Sequence, residues 1–309
     1  MSDSTVSLRR KITGAKDLQS VVRTMKAVAA SSIGQYEEAV RALGDYYHTV
    51  EMGLGACFRD NGQVTLTPAR NGKTNTGVIG AVVFGSDQGL VGQFNDIIVE
   101  YAVEALAVSP APAQVWAVGE RAHARITDSG LPSMGIFTVP GSIKGITPLV
   151  GQILLESNGS YEQGKISELH LFYNRPTSGA SYAPVTQQLL PLDNSWYRKL
   201  AGEPWPTKYP AEVMGGDTVA LRALISEYLF VSLFRACAES LASENASRLA
   251  SMQRADKNID ELLENLNGKF HRLRQAGIDE ELFDVISGFE ALSGVKQVKT
   301  LTRRHLVTE

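Results

Sequence analysis

All 12 prolines of this 309-residue chain lie between Pro68 and Pro210. Proline breaks a helix interior because it lacks an N–H and its ring clashes with the preceding turn. Each proline-free end is therefore free to form one uninterrupted helix, and each carries apolar residues three and four positions apart. Helices of that length cannot hide inside a compact globule. They must pair with each other, with a separate domain between them, and their far ends must engage something else.

The spacing predicts a first helix over residues 5–58. Its apolar series runs Leu8, Ile12, Ala15, Leu18, Val22, Met25, Ala29, Ile33, Tyr36, Val40, Leu43, Tyr47, Val50 and Leu54. Steps of three or four keep these residues on one seam for about seven heptads, which favours a left-handed supercoil with a partner helix. Gly14, Gly34 and Gly44 each cost ~1 kcal/mol relative to alanine in a helix interior. They mark close approach by another chain or places where the helix bends.

Residues 60–77, rich in Asn, Gly and Thr, read as a linker. The middle of the chain then alternates. Short apolar runs at 78–84, 114–118, 135–139 and 166–173 suit buried strands, and 184–192 adds a further one. Between them 95–107, 120–128 and 146–156 have helical patterns. Alternation at this spacing predicts an open, mostly parallel α/β sheet over residues 77–192. Residues 193–216, with Trp196, Trp205, Pro204, Pro206 and Pro210, read as an irregular packed crossing. Asp217 is a suitable N-cap for the last helix. That helix is expected over 217–292, about 76 residues or roughly 110 Å. Ser293-Gly294 is a plausible stop, and 293–309 then reads as a basic extension, a solvated and frayed end.

The last helix changes character along its length. Leu221, Leu224, Ile225, Tyr228, Leu229 and Phe230 open it. A seam of small residues follows, with Ala242, Ser243, Ala246, Ser247, Ala250 and Ser251. Bulky residues return at Ile259, Leu262, Leu266, Phe270, Leu273 and Ile278. Small residues let two backbones approach closely, so the middle of the shaft should be thin and its upper part should face other surfaces. The Ala/Ser stretch is expected to pair with residues near Met25.

Little in the chain points to chemistry. The net charge of −3 carries no nucleic-acid signature. No apolar run approaches the ~18 residues of a membrane span. The polar, then basic, first eleven residues lack a signal-peptide core, which predicts a soluble cytosolic location. Cys57 and Cys237 are far apart and suit buried positions rather than a disulfide or a metal site. His48, His123, His170, His271 and His305 have no metal-ligand spacing. The run from Gly85 to Asn95 follows a strand and precedes a helix, where glycines and helix N–H groups cradle phosphate in some folds. It matches neither GxGxxG nor the P-loop and has no P-loop lysine, so a structural turn is favoured. No cofactor, metal or catalytic set is predicted. Arg9, Arg10, Lys11, Lys16, Arg23 and Lys26 outweigh Asp3 and Asp17 near the N-terminus. A solvated face or an acidic partner surface would each account for them.

Several stretches resemble a known family. Ser243-Glu244-Asn245-Ala246-Ser247-Arg248-Leu249-Ala250-Ser251-Met252 is the clearest, followed by Asp256-Lys257-Asn258 and Arg274-Gln275-Ala276-Gly277-Ile278. Thr24-Met25-Lys26-Ala27-Val28-Ala29-Ala30-Ser31 is similar to the family's N-terminal helix motif. Ser86-Asp87-Gln88-Gly89-Leu90-Val91-Gly92 is similar to its glycine-rich loop, and Gln188-Leu189-Leu190-Pro191-Leu192 also fits. The chain, from about residue 8 to 292, resembles the gamma subunit of F-type ATP synthases, the rotating central stalk. Gln88, Val91 and Gln93 stand where the family usually has Arg, Cys and Gly. Ser32 and Ile33 replace its usual basic continuation. These departures and the extension suggest a divergent branch. The cysteine-bearing insertion of chloroplast members is absent, so thiol control is not implied.

The resemblance implies an antiparallel coiled coil of the terminal helices, 1–58 and 217–292, inside a hexamer of alpha and beta subunits. It implies an α/β domain bound to the epsilon subunit and the c-subunit ring, at the cytoplasmic face of a bacterial plasma membrane. The chain would be a non-catalytic rotor coupling ion flow to ATP synthesis or hydrolysis, with no nucleic-acid partner and no membrane span of its own. By position, Met25, Lys26, Arg274 and Gln275 would meet beta subunits, and Tyr209 and Glu212 would belong to the foot against the ring. Ala242, Ala246 and Ala250 would form the close-packed seam. The alternatives are a coiled-coil adaptor with an α/β module and a nucleotide-using α/β enzyme with helical arms. Purification separates them: a rotor co-assembles with ATPase subunits, an adaptor with other proteins, and an enzyme turns over alone.

Overall fold

The computed structural model describes residues 4–61, 77–177, 181–192, 194–209 and 217–304. In chain order the elements are α1 (Thr5–Asn61), β1 (Ile79–Phe84), α2 (Phe94–Ala107), β2 (Ala113–Val118), α3 (Glu120–Asp128), β3 (Ser133–Phe137), α4 (Ile143–Glu162), β4 (Glu168–Pro176), β5 (Tyr182–Leu190), α5 (Asn194–Gly202) and α6 (Asp217–Arg304). They form two compact units, Met1–Thr24 with Gln253–Glu309, and Met25–Met252.

The first unit is a helix pair. Leu8, Ile12, Ala15 and Val22 of α1 are buried, as are Ile259, Leu263 and Leu266 of α6. Each large aliphatic side chain taken from water contributes roughly 1.5–3 kcal/mol. The helices run antiparallel: Gln19 meets Asp256 and Asp260, while Ile12 shares a cleft with Asn267 and Phe270. The expected seam holds at Leu8, Ile12, Ala15, Val22, Ile259 and Leu266 and is offset by one residue at Leu18 and at Leu262. Leu18 is 55% exposed and Leu262 49% exposed, whereas Gln19 and Leu263 are buried. The reason is polar. The Gln19 amide donates to the carboxylates of Asp256 and Asp260, and Arg23 Nε approaches Asp256 at 3.3 Å. A satisfied polar group in an apolar seam fixes register, and no apolar count on one helix reveals it.

In the second unit the sheet has the order β3-β2-β1-β4-β5. β1 pairs in parallel with β2 and β4, β2 pairs in parallel with β3, and β4 pairs antiparallel with β5. This is the expected open, mostly parallel α/β domain. Ile79, Ala81 and Val83 of β1 face one way, packing with Ile98, Ala102, Ala122 and Ile126 of α2 and α3. Val82 and Phe84 face the other way, in a core with Ile146, Val150 and Ile153 of α4 and with Leu54, Phe58, Leu233 and Cys237 of the long helices. The period-two alternation of strands thus divides β1 between two cores. β3 begins two residues earlier than its apolar run, because Ser133 pairs with Val115 of β2.

Within this unit α1 and α6 are again antiparallel. Tyr47 and Tyr228 have ring centroids 5.6 Å apart, and a Cβ on Gly53 would come within 3.2 Å of the Leu224 side chain. Tyr36 of α1 lies within electrostatic reach of Glu244 in the Ala/Ser stretch. Two further expectations are corrected. Residues 194–202 form a helix, α5, within the region read as irregular. Its order comes from tertiary contact: the Tyr197 ring packs at a tilt against Phe58, with centroids 4.4 Å apart, and its hydroxyl donates to the Phe58 carbonyl at 3.1 Å. At its C-terminal end α6 does not stop at Ser293-Gly294 but continues to Arg304. A glycine costs only ~1 kcal/mol inside a helix, and it ends one only where it adopts the left-handed turn.

Candidate functional site

The exposed features of the first unit lie along α6 and its pairing with α1. Arg9, Ile12, Asn267, Phe270, His271 and Arg274 line a cleft of about 490 Å³. Arg274 and Gln275 are exposed on α6. Sequence reading identified Arg274 but not Arg9 or His271. The antiparallel register brings those two to it, and only a heptad-by-heptad alignment of the two seams would have found them. Further along α6, Ile278, Leu282, Val285 and Phe289 are 53%, 56%, 69% and 70% exposed. Their spacing of four, three and four is that of a coiled-coil seam.

In the second unit Met25 and Lys26 are half-buried on α1. Ala242 and Ala246 are buried at 2% and 8% exposure, as a close-packed seam requires. Ala250 is exposed. Residues 236–247 of α6 are buried on every side by α1 and the α/β domain, and beyond Ser247 the cover is no longer continuous. Tyr209 is 84% exposed, and Glu212 lies outside the described residues.

The glycine-rich run is a turn whose polar groups serve the fold. The Asp87 carboxylate accepts the Glu120 N–H at 3.1 Å and the Val139 N–H at 2.9 Å, tying the loop to the start of α3 and the segment after β3. Ser86 and Asn95 exchange two hydrogen bonds of 2.9 Å. Gly119 has φ +105°, and a Cβ there would meet the Ser86 backbone at 2.6 Å, so glycine alone fits. Leu90, at φ +64° and 61% exposed, is a non-glycine residue in the left-handed region.

Titration behaviour follows burial. Burial pushes the Glu244 carboxyl up, with the Asp87 charge acting in the same direction and the Arg248 guanidinium opposing. Burial likewise raises the Tyr36 phenol and the Cys237 thiol. Both cysteines are buried thiols. Among the described residues no group of three or more His, Cys, Asp or Glu is placed to hold a metal ion. No described helix is long and apolar enough to cross a membrane.

The long N- and C-terminal helices are in contact and flank, in sequence, a mostly parallel five-stranded α/β domain. The ATP synthase family profile matches residues 4–292, and the chain belongs to the ATP synthase gamma-chain family. The gamma chain of Desulfitobacterium hafniense is 27% identical over 288 residues, covering 92% of this chain and 98% of that one. The fold is shared with a rotor chain of the Euglena gracilis mitochondrial ATP synthase, with a TM-score of 0.59 at 17% identity, covering 89% of this chain and 98% of that one. A second Euglena structure, of the OSCP/F1/c-ring assembly, gives a TM-score of 0.64 at 19% identity over 94% and 95% of the two chains. The protein is thus an ATP synthase gamma subunit, the central-stalk rotor and not a catalytic subunit.

Proposed function

We propose that the chain turns within the F1 head of an ATP synthase and carries torque between that head and the c-ring. The helices of residues 1–58 and 217–292 are the shaft, the α/β domain of 77–192 is the foot, and 293–309 is a basic C-terminal extension. Alpha and beta subunits surround the shaft. The epsilon subunit and the ring bind the foot, at the cytoplasmic face of a bacterial plasma membrane. Ion flow through the ring drives rotation for synthesis, and hydrolysis drives the reverse.

The observation that carries this reading is the exposed apolar stripe Ile278, Leu282, Val285 and Phe289 on α6. Large contiguous apolar surface of this kind marks a partner interface. A sleeve of surrounding subunits would cover it while leaving the shaft free to turn. Within the same unit, the Gln19 and Arg23 contacts to Asp256 and Asp260 oppose slippage of one helix along the other. Met25, Lys26, Arg274 and Gln275 are the contacts to beta subunits, and Tyr209 and Glu212 the contacts to the ring.

Co-purification and coupled turnover test it. The chain should assemble with alpha and beta subunits. Arg274→Ala with Gln275→Ala should lower ATPase activity of the complex while the free chain keeps its melting temperature. Hydrogen bonds to a charged group are typically worth ~1.5–3 kcal/mol. Full coupled activity in the double variant would remove these two residues from the interface. Failure of the wild-type chain to assemble with alpha and beta subunits would overturn the rotor reading.

A further inference from the structure

Three polar side chains of α6, one per turn, leave its buried stretch toward the α/β domain. Glu239, 4% exposed, accepts Arg175 Nε of β4 at 2.9 Å through Oε2 and Arg235 Nε at 2.7 Å through Oε1. The Ser243 hydroxyl donates to the Asn174 carbonyl of β4 at 2.9 Å. The Ser247 hydroxyl donates to the Val91 carbonyl in the glycine-rich turn, with the Tyr182 hydroxyl of β5 3.4 Å away. Asn174 extends the row, since its side-chain amide donates to the Phe94 carbonyl at the start of α2 at 3.1 Å. The turn that receives Ser247 is itself held by Asp87 to α3 and to the segment after β3.

Apolar packing holds surfaces together without fixing direction, because the hydrophobic effect is non-directional. Hydrogen bonds weaken steeply as their angle departs from linear, and in a buried setting they are strengthened by low dielectric. Ala242 and Ala246 bring α6 close but would let it roll. The row Glu239, Ser243 and Ser247 would not, since rotation of α6 about its own axis breaks all three contacts together.

We propose that Glu239, Ser243 and Ser247 form a polar key that fixes the rotational setting of α6 on the α/β domain, so that torque passes between shaft and foot through this row. The inference rests on the rotor reading above. It makes these three residues positioning residues for coupling.

The test compares ions pumped with ATP hydrolysed in the reconstituted full complex. The variant Glu239→Gln, Ser243→Ala, Ser247→Ala keeps helix-forming residues and apolar burial. It is expected to retain hydrolysis and lose pumping, lowering the ratio of the two. Ser157→Ala removes a buried hydroxyl of α4, bonded to the Ile153 carbonyl at 2.7 Å, and should leave the ratio unchanged. If the triple variant does not assemble, the same ratio is read in Ser243→Ala and Glu239→Gln singly. A wild-type ratio in the key variants overturns the proposal. So does a proportional fall in hydrolysis and pumping, which is what general loss of folded protein produces. A wild-type complex that hydrolyses ATP and never pumps would overturn the rotor reading and this inference with it.

Discussion

Two glycines of α1 should respond in opposite ways to the same substitution. A Cβ built on Gly34 meets nothing within 4 Å. A Cβ built on Gly55 meets the Leu200 carbonyl oxygen of α5 at 2.6 Å and its carbon at 3.4 Å. An ordinary carbon–oxygen contact is about 3.3–3.6 Å, so α5 or α1 must move by roughly 0.7 Å. The obstacle is backbone, not the flexible end of a side chain. In either position alanine gains ~1 kcal/mol of helix propensity over glycine. Gly34→Ala should therefore stabilise by about that amount. Gly55→Ala carries the same gain against an overpacking cost of ~1–3 kcal/mol, and it also loosens Tyr197 from Phe58. The two variants should differ by ~1–3 kcal/mol, which corresponds to several degrees in melting temperature at roughly 2–4 °C per kcal/mol. Thermal and urea unfolding of the free chain, followed by circular dichroism and by tryptophan fluorescence, provide the comparison. Trp196 lies 5.8 Å from Phe58, so a displaced α5 should also change the fluorescence. Equal stability of the two variants would refute the claim that α5 is seated on α1 through Gly55.

Ala246→Leu should overpack the buried seam of α6 at a cost of ~1–3 kcal/mol; unchanged melting and assembly would show that the seam is not close-packed. Glu244→Gln bears on pH. Burial holds the Glu244 carboxyl above its ordinary range, so the folded state binds more protons than the unfolded state there. Its contribution is fully present below the unfolded carboxylate pKa and is lost as pH rises through the folded value. Relative to wild type, Glu244→Gln should therefore flatten the fall in melting temperature from acidic toward neutral pH; parallel pH profiles would sink the assignment.

The long helices were legible in the sequence because their signals are local. Exclusion of proline and apolar residues three and four apart act within a few turns of the residues that carry them. The alternation of short apolar runs with helical patterns likewise marked the mostly parallel sheet, and Ala242 and Ala246 of the Ala/Ser stretch are buried. Tertiary structure decided the rest. Leu18 and Gln19 both satisfy a three-four spacing, and only the carboxylates of Asp256 and Asp260, more than two hundred residues away, select Gln19. The helix α5 depends on Phe58 and Gly55 of α1, and its own sequence is too short to nucleate a stable helix alone. Ala242 and Ala250 have the same side chain and share an Ala/Ser pattern, yet burial separates them because the α/β domain covers only the first. Arg9 and His271 join Arg274 through antiparallel register, and Glu239, Ser243 and Ser247 acquire their partners from β4 and the turn after β1. Periodicity shows which face of a helix is covered; what covers it, and which polar groups meet there, depends on contacts between residues distant in the chain.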